Sequence, residues 1–547
     1  MKPRLRLRTP ESFHEHLLPT GSLGRPLSTL LATFGHPLNT RCGGRGLCHA
    51  CEVELVAGAV CSLDTEALVG APGRIAACRH RPVVGESISL TVPARALLRH
   101  EPSIASQFTL SISCALQPLG PHPADPDEPW FGAAVDLGTT TVALLLCDLR
   151  TGMVLGIDTA FNAQVRFGED VLTRINFCSG RPEQQLQLQD AAASTIQTLL
   201  ENTCARHHVD LAHVQSLVVA GNTAMLHLLA GADPAPLGVY PFKPAFLGHR
   251  CLRPEDCELA FGGTSAEVHL IPSPAAYVGA DLAAGILATN LLYDEGPALL
   301  VDVGTNGEII LKHGDRLLGC ATAAGPAFEG AGLASGMRAV HGVIEAIRFS
   351  RDPWEIHLGI IGDTTTPIGI CGSAYVDLIA EGRRTGLLNE HGRLQAPNSS
   401  EAGRGLRILA DGSRAFVLGT SHDDDPIIVT ESDIARLLQA KAAIAAGITT
   451  LLTLAGLTPG DIVKVHLAGG FGLHLNLNNA IACGLLPGFR VDQIDVVGNT
   501  ALGGAFALLQ DRTLLSEVVQ ACTTLESIEL NLQSGFEDYY IDQLALP

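Results

Sequence analysis

Cys42, Cys48, Cys51 and Cys78 carry the plainest chemistry in this chain. The first three lie in RCGGRGLCHACEVEL and the fourth in IAACRH, which gives the spacing C-x5-C-x2-C-x26-C. Three thiolates crowded on one glycine-rich loop, with a fourth farther on, suit an iron–sulfur cluster. The spacing is one residue from the C-x4-C-x2-C…C arrangement of 2Fe-2S sites. A structural zinc site also uses four cysteines, but it usually pairs two close knuckles, and here only Cys48 and Cys51 form one. His49 inside the loop is read as a surface residue, because four cysteines already complete the set. The chain is therefore expected to begin with an electron carrier.

A second chemistry is written twice. AVDLGTTT (134–141) and LVDVGTNGE (300–308) each run an apolar strand into an aspartate, then x-Gly-Thr, then hydroxyl or amide side chains. Asp136 and Asp302 sit where a carboxylate holds a metal ion or orients a water. Gly138 and Gly304 open a turn whose N–H groups approach phosphate oxygens, and Thr139, Thr140, Thr141, Thr305 and Asn306 add donors. One such loop is common at strand ends; two suggest related lobes facing one nucleotide. A third strand, VHLAGGFG (465–472), ends in Gly469, Gly470 and Gly472, with no side chain to block a base or ribose. Glu308 and Glu329 are weaker candidates, since charged residues in such segments are usually solvated or salt-bridged. No GxxxxGK[ST] motif is present, so an ATP site must be of another kind. The junctions VAGNTAMLHLLAG and VGNTALGGA read as structural, their small residues letting helices pack closely.

The elements that must position these groups follow the composition. A chain of 547 residues needs more than one core, and 46% hydrophobic with 17% charged residues describes a packed globular protein. A net charge of −20 without basic clusters argues against nucleic acid or anionic membrane as partner. No run is expected to reach the ~20 apolar residues of a membrane span, no secretion signal is seen, and the scattered cysteines read as reduced core residues; the compartment expected is the cytoplasm. Residues 1–92 read as a small β-rich domain: RLRLR alternates, RPLSTLLATFG forms a short helix, and CEVELV and SISLTV are strands. HEHLLPTGSLGRPLSTLL shows no clear hairpin-then-helix. Residues 93–129 read as a linker, with one strand at FTLSISC (108–114) and five prolines in QPLGPHPADPDEP. From 130 onward strand–turn–helix alternation indicates an α/β domain, with ligands at the carboxyl ends of the strands. No whole-domain repeat is evident.

Residues 130–547, with both aspartate loops and the LAGGFG turn in order, resemble the actin-like ATPase superfamily that includes sugar kinases and heat-shock chaperones. The cysteine domain, with its helix ahead of the cysteine loop, resembles plant-type ferredoxins. Together with NAQVRFGEDVLTRI, AGNTAMLHLLAG, PLGVYPF, ATAAGPAFEGAGLASGMRA, PIGICGSAYVDLIAE and GLLPG, the two modules resemble the reductive activators of corrinoid proteins. The resemblance implies an α+β ferredoxin-like (β-grasp) domain joined to a two-lobed α/β actin-like ATPase (ribonuclease H-like) domain, with lobes at about 130–295 and 296–547. The 93–129 linker is shorter than the region the family places there. It further implies a 2Fe-2S cluster on Cys42, Cys48, Cys51 and Cys78, and ATP with Mg2+ between the lobes. The implied partners are a corrinoid protein of a methyltransferase system, a low-potential electron donor and a second copy of the chain. The implied reaction returns Co(II) to Co(I). Two other classes remain open: a small-molecule kinase with Asp302 as general base, and an ATP-binding redox sensor.

Overall fold

A computed structural model of the chain describes all residues except 1–2, 10–11, 19–23, 37, 39–50, 84, 94–95, 97–105, 124, 126, 169, 305, 331, 363, 396–404 and 422–424. It divides into two compact units, the first built mainly from residues 1–100 and the second from nearly all the rest.

The first unit holds strands β1 (Arg4–Arg8) and β2 (Phe13–Leu17), helix α1 (Leu27–Thr33), and strands β3 (Glu52–Ala57), β4 (Ala59–Ser62), β5 (Leu68–Gly70), β6 (Gly73–Ala76), β7 (His80–Pro82) and β8 (Ile88–Thr91). Five of them form a mixed sheet in the order β2-β1-β8-β3-β6, and β5-β4-β7 form a small second sheet. Alternation explains the main sheet. Leu5, Leu7, Val53, Leu55, Ile88 and Leu90 all turn inward onto one core with Leu27 and Leu31 of α1, while the arginines of β1 stay exposed. The missing hairpin is present after all: β2 pairs antiparallel with β1, and α1 begins directly after Pro26. Its signal was weak because β2 is an edge strand whose inward residues are histidines rather than aliphatics.

The second unit opens with a meander of β9 (Phe131–Leu137), β10 (Thr141–Asp148) and β11 (Val154–Phe161). There follow α2 (Val171–Cys178), α3 (Pro182–Arg206), β12 (Val214–Gly221), α4 (Thr223–Leu229), β13 (Arg250–Leu252), β14 (Glu267–Leu270) and α5 (Ala280–Thr289). A second meander comprises β15 (Ala298–Val303), β16 (Gly307–His313) and β17 (Arg316–Thr322). An inserted region carries β18 (Val343–Arg351), β19 (Trp354–Ile360), β20 (Gly369–Ile370), α6 (Gly372–Thr385), β21 (Leu406–Ile408), β22 (Arg414–Thr420) and β23 (Pro426–Thr430). The chain closes with α7 (Glu431–Ala455), β24 (Lys464–Ala468), α8 (Leu477–Ala482), β25 (Ile494–Gly498), α9 (Thr500–Gln510), α10 (Leu514–Thr524), β26 (Glu526–Ser527) and α11 (Phe536–Leu544).

Two six-stranded sheets organise this unit, β11-β10-β9-β12-β14-β13 and β25-β24-β15-β16-β17-β26. Their cores share one plan. In each, an antiparallel meander (β9–β11, β15–β17) is extended from its first strand by two parallel strands, β12 and β14 in one and β24 and β25 in the other. The whole-domain repeat that the residues did not display is therefore a repeat of topology. Helices α5 and α9 join the halves. Gly504 of α9 lies so near α5 that a Cβ there would stand 1.9 Å from the Ala284 carbonyl oxygen.

FTLSISC is not a strand. Residues 107–119 run extended over this helix pair, with Thr109 donating to the Val497 carbonyl, Ser111 to Ala288, Gln117 to Gln510 and Leu119 to Leu509. Helix α7 is long and apolar enough to cross a membrane, contrary to the expectation that no run is, but it is mostly buried inside the unit. It is the central helix of a globular core.

Candidate functional site

The first aspartate loop joins β9 to β10. Gly138 is required there, since a Cβ would meet the Thr141 carbonyl oxygen at 2.5 Å. Three side chains brace the loop. Asn162 donates to the Gly138 carbonyl at 2.9 Å, fully buried Arg174 donates to the Thr139 carbonyl, and Asn222 donates to Thr139 Oγ1 at 2.9 Å. Gln164 in turn accepts from Arg174 at 2.9 Å. Residues of the NAQVRFGEDVLTRI stretch thus shape the first aspartate loop. Thr140 accepts from the Asn162 N–H through its carbonyl, and Thr141 is the first residue of β10.

The second loop joins β15 to β16, closed by the Gly304 N–H donating to the Asn306 carbonyl at 3.0 Å. Thr305 lies outside the described residues. Register sets Asp302 directly opposite Glu308 across the antiparallel ladder, and Ala468 opposite Asp302 on its other side. Gly469 follows with φ +93°, and a Cβ there would meet the Val303 carbonyl oxygen at 2.5 Å and Asp302 Oδ1 at 2.8 Å. Its role in this arrangement is close approach to the aspartate strand. Gly470 begins a short 3-10 turn through His474, and Gly472 leaves room for a side chain beside Leu467.

Four carboxylates collect at these strand ends. Burial, the Asp281 charge and the Asp136 charge push Asp302 up to about 7. Burial does the same to Asp136, raising it to about 7 despite the hydrogen bond it accepts from Asn499 Nδ2 at 2.8 Å, with Asp281 adding repulsion. Asp281 is raised to about 6 by burial. Glu308, 9% exposed, is raised well above the ordinary range by burial, Asp281 and Asp302. Like charges directly opposite on a ladder destabilise a sheet, a cost that a bound cation would relieve. Hard carboxylate oxygens brought together in this way fit Mg2+. Glu329, by contrast, pairs with Arg338 at 3.2 Å.

Three further residues of the site, Asp281, Asn222 and Asn499, carry a weaker signal in the sequence. Asp281, at the start of α5, is the one charged residue between Glu267 and Asp294, and that isolation in an apolar stretch was its signal. Asn222 and Asn499 stand in the two GNT junctions. Each caps its helix by accepting from the backbone, Met225 N–H at 3.0 Å and Leu502 N–H at 2.9 Å, and each spends its amide donor on the first aspartate strand and loop. The junctions are therefore structural and part of the site together.

In the first unit, Cys51 (1% exposed) and Cys78 (3%) share one core. The Cys51 thiol is drawn below its usual range, chiefly by a hydrogen bond from the Cys78 side chain and also by backbone N–H groups of Cys78, Cys51 and Ala77. The Ala77 N–H donates to the Cys51 carbonyl at 3.1 Å, tying the two positions together. Two adjoining thiols, that of Cys51 with a lowered pKa, and backbone N–H groups turned to it are a donor set that fits a thiolate-bound metal centre. Cys42, Cys48 and His49 lie outside the described residues.

Paired sheets of one topology with carboxylates at facing strand ends define an actin-like ATPase fold. The family profile described as the C-terminal domain of RACo, the ASKHA domain, matches residues 296–547, and that described as the RACo middle region matches residues 131–294. The chain is 31% identical over 423 residues to the corrinoid activation enzyme RamQ of Eubacterium limosum, covering 76% of this chain and 70% of that one. It is 27% identical over 444 residues to the [Co(II) methylated amine-specific corrinoid protein] reductase of Methanosarcina barkeri, covering 76% and 77%. A solved structure described as a reductive activator for corrinoid, iron-sulfur protein aligns with TM-score 0.72 and 30% identity over 99% of this chain and 98% of its own. The chain belongs to the family of corrinoid reductive activators.

Proposed function

We propose that this chain reductively activates a corrinoid protein, using ATP and Mg2+ bound between its two lobes to drive an electron from a 2Fe-2S cluster onto Co(II), which becomes Co(I). The observation that carries the nucleotide half is the convergence of Asp136, Asp281, Asp302 and Glu308 from both halves of one duplicated fold. Cys42, Cys48, Cys51 and Cys78 would hold the cluster, which when bound supplies a single low-potential electron, near −400 mV for plant-type centres.

The chain's own groups supply the rest. Asp302 and Asp136, one per lobe, would orient the cation and its waters. The loops at Gly138 and Gly304 would turn N–H groups to the phosphates, and the Gly469 turn keeps the Asp302 strand end tight. Because the carboxylates come from both halves, a bound Mg-nucleotide favours the arrangement that brings them together. That preference is the differential affinity needed to bias a conformation.

The test uses the full-length, cluster-loaded protein, a Co(II) corrinoid partner and a donor of about the cluster's own potential, with the visible spectrum of Co(I) as readout. Reduction is expected with Mg-ATP and not without it. Equal rates in both cases would overturn the reading.

A further inference from the structure

Outside both sites, three imidazoles meet in the first unit. His14 and His16 alternate along β2, and His36 follows α1, each half-buried, with one ligand nitrogen from each lying within 4.8 Å of the others. The His14 and His36 ring centroids are 4.3 Å apart, and those of His16 and His36 are 5.6 Å apart.

The orientation is against the hydrophobic preference of the strand. Phe13 (65% exposed) and Leu17 (53%) face outward, while the two histidines face the core side. A slip of one residue would reverse all of these. The observed register instead pairs His16 with Leu5 and His14 with Leu7, two fully buried leucines. The rings are also held in place. Ser12 Oγ lies 2.6 Å from His14 Nε2, and Phe34 stacks on His16 at 4.4 Å and 10°. Among the described residues, His16 Nε2 is buried with no hydrogen-bond partner, which is costly for a polar atom unless it binds something. Burial and the neighbouring histidines lower the pKa of His36, favouring the neutral, ligating form. The carboxylate on this strand, Glu15, is on the other face, paired with Arg4 and Arg6.

We propose that His14, His16 and His36 form a second metal site, taking a borderline divalent ion of the Zn2+ class through three imidazoles and leaving one position open. Imidazole suits Zn2+, Cu2+ and Ni2+, whereas Mg2+ and Ca2+ need oxygen ligands absent from this set. The ion ties β2 to the end of α1, six residues ahead of Cys42 in the sequence.

Full-length protein with its cluster loaded is titrated with Zn2+ against a chromophoric chelator, then with Co2+ for its ligand-field bands. One equivalent of Zn2+ per chain is expected, with Co2+ bands lacking thiolate charge transfer. His14→Gln with His36→Gln, and His36→Gln alone as a variant that leaves β2 untouched, should weaken binding by at least about 10–100-fold, the range for losing even a ligand's outer support. Cys251→Ser, in a separate Cys251–Glu267–His269 group, should leave binding unchanged. The cluster's visible spectrum and far-UV circular dichroism check that each variant is folded. Equal binding by wild type and the histidine variants, loss in Cys251→Ser, or thiolate bands with Co2+ would each overturn the proposal.

Discussion

Asp302 faces Glu308 across one ladder, and burial with nearby carboxylates holds it near 7 rather than in the usual carboxylate range. Between about pH 4 and 7 the folded state therefore binds more protons than the unfolded state, so stability falls as pH rises through that window. Metal-free protein should show a melting temperature that declines from pH 5 to 8. Asp302→Asn should flatten the decline and raise the melting temperature at pH 8 by about 2–4 °C, while abolishing Mg-ATP binding. In the wild type, Mg2+ affinity should rise from pH 6 to 8 as protons leave the site; scanning calorimetry with and without Mg2+ reads both, and an unchanged slope in the variant would remove Asp302 from the account. A second residue-scale expectation concerns sulfur. Cys51→Ser should strip iron and labile sulfide from the protein, whereas Cys61→Ser should not, because the Cys61 thiol is occupied with the Ser62 and Glu66 carbonyls. Iron and sulfide assays with the visible spectrum decide it.

At the scale of elements, the paired GNT junctions do the most with the least. Asn499→Ala should remove a cap worth about 1 kcal/mol and release Asp136, costing roughly tenfold in Mg-ATP affinity, about the weight of one hydrogen bond. Isothermal titration measures the affinity, and an unaltered value would confine Asn499 to capping. Gly469→Ala should do more, because φ +93° and a 2.5 Å approach to the Val303 carbonyl leave no relaxed place for a Cβ. The strand ends carrying Asp136 and Asp302 were legible because each apolar run stops at a glycine turn. The duplication was legible only at the two aspartate loops, since beyond them the halves share strand order and direction rather than residues, and pairing lies outside a one-dimensional pattern. Asp281 escaped for a related reason: it belongs to no turn motif, and only tertiary packing of α5 brings it to Asp302. β2 was unreadable because its inward face is imidazole, which alternation of aliphatics does not register.

For the whole molecule, the segment after the first unit is part of the ATPase. The Gln107 carbonyl accepts from the Asn499 N–H at 2.8 Å, and the chain to Leu119 keeps bonding along α9 and its neighbours. A chain beginning at residue 106 should bind Mg-ATP as the full protein does, whereas one beginning at 130 should melt lower and bind more weakly; melting curves and titration of the two separate these outcomes. The composition of residues 93–129 suggested only a linker because proline density speaks to stiffness and not to docking. If ATP and electron sites serve one uphill transfer, they must separate in binding and not in function. Asp302→Asn should keep the cluster's spectrum and accept electrons from Ti(III) citrate, yet fail to produce Co(I). Cys51→Ser should bind nucleotide and also fail. The partner should alter the ATPase rate, by reciprocity of linkage.

Where Gly504 meets Ala284, backbone rests on backbone. Surfaces in such contact resist sliding, so a relative movement of the two halves would pivot at the crossing of α5 and α9. Asp281 lies three residues from it along α5 and Asn499 five residues along α9, about 5 and 8 Å at the helical rise. Asp281 and Asn499 thus lie close to this crossing, where a turn would move them little. On the proposed reading, a cation that drew the carboxylates of the two halves together would turn the halves about this crossing rather than slide them past it.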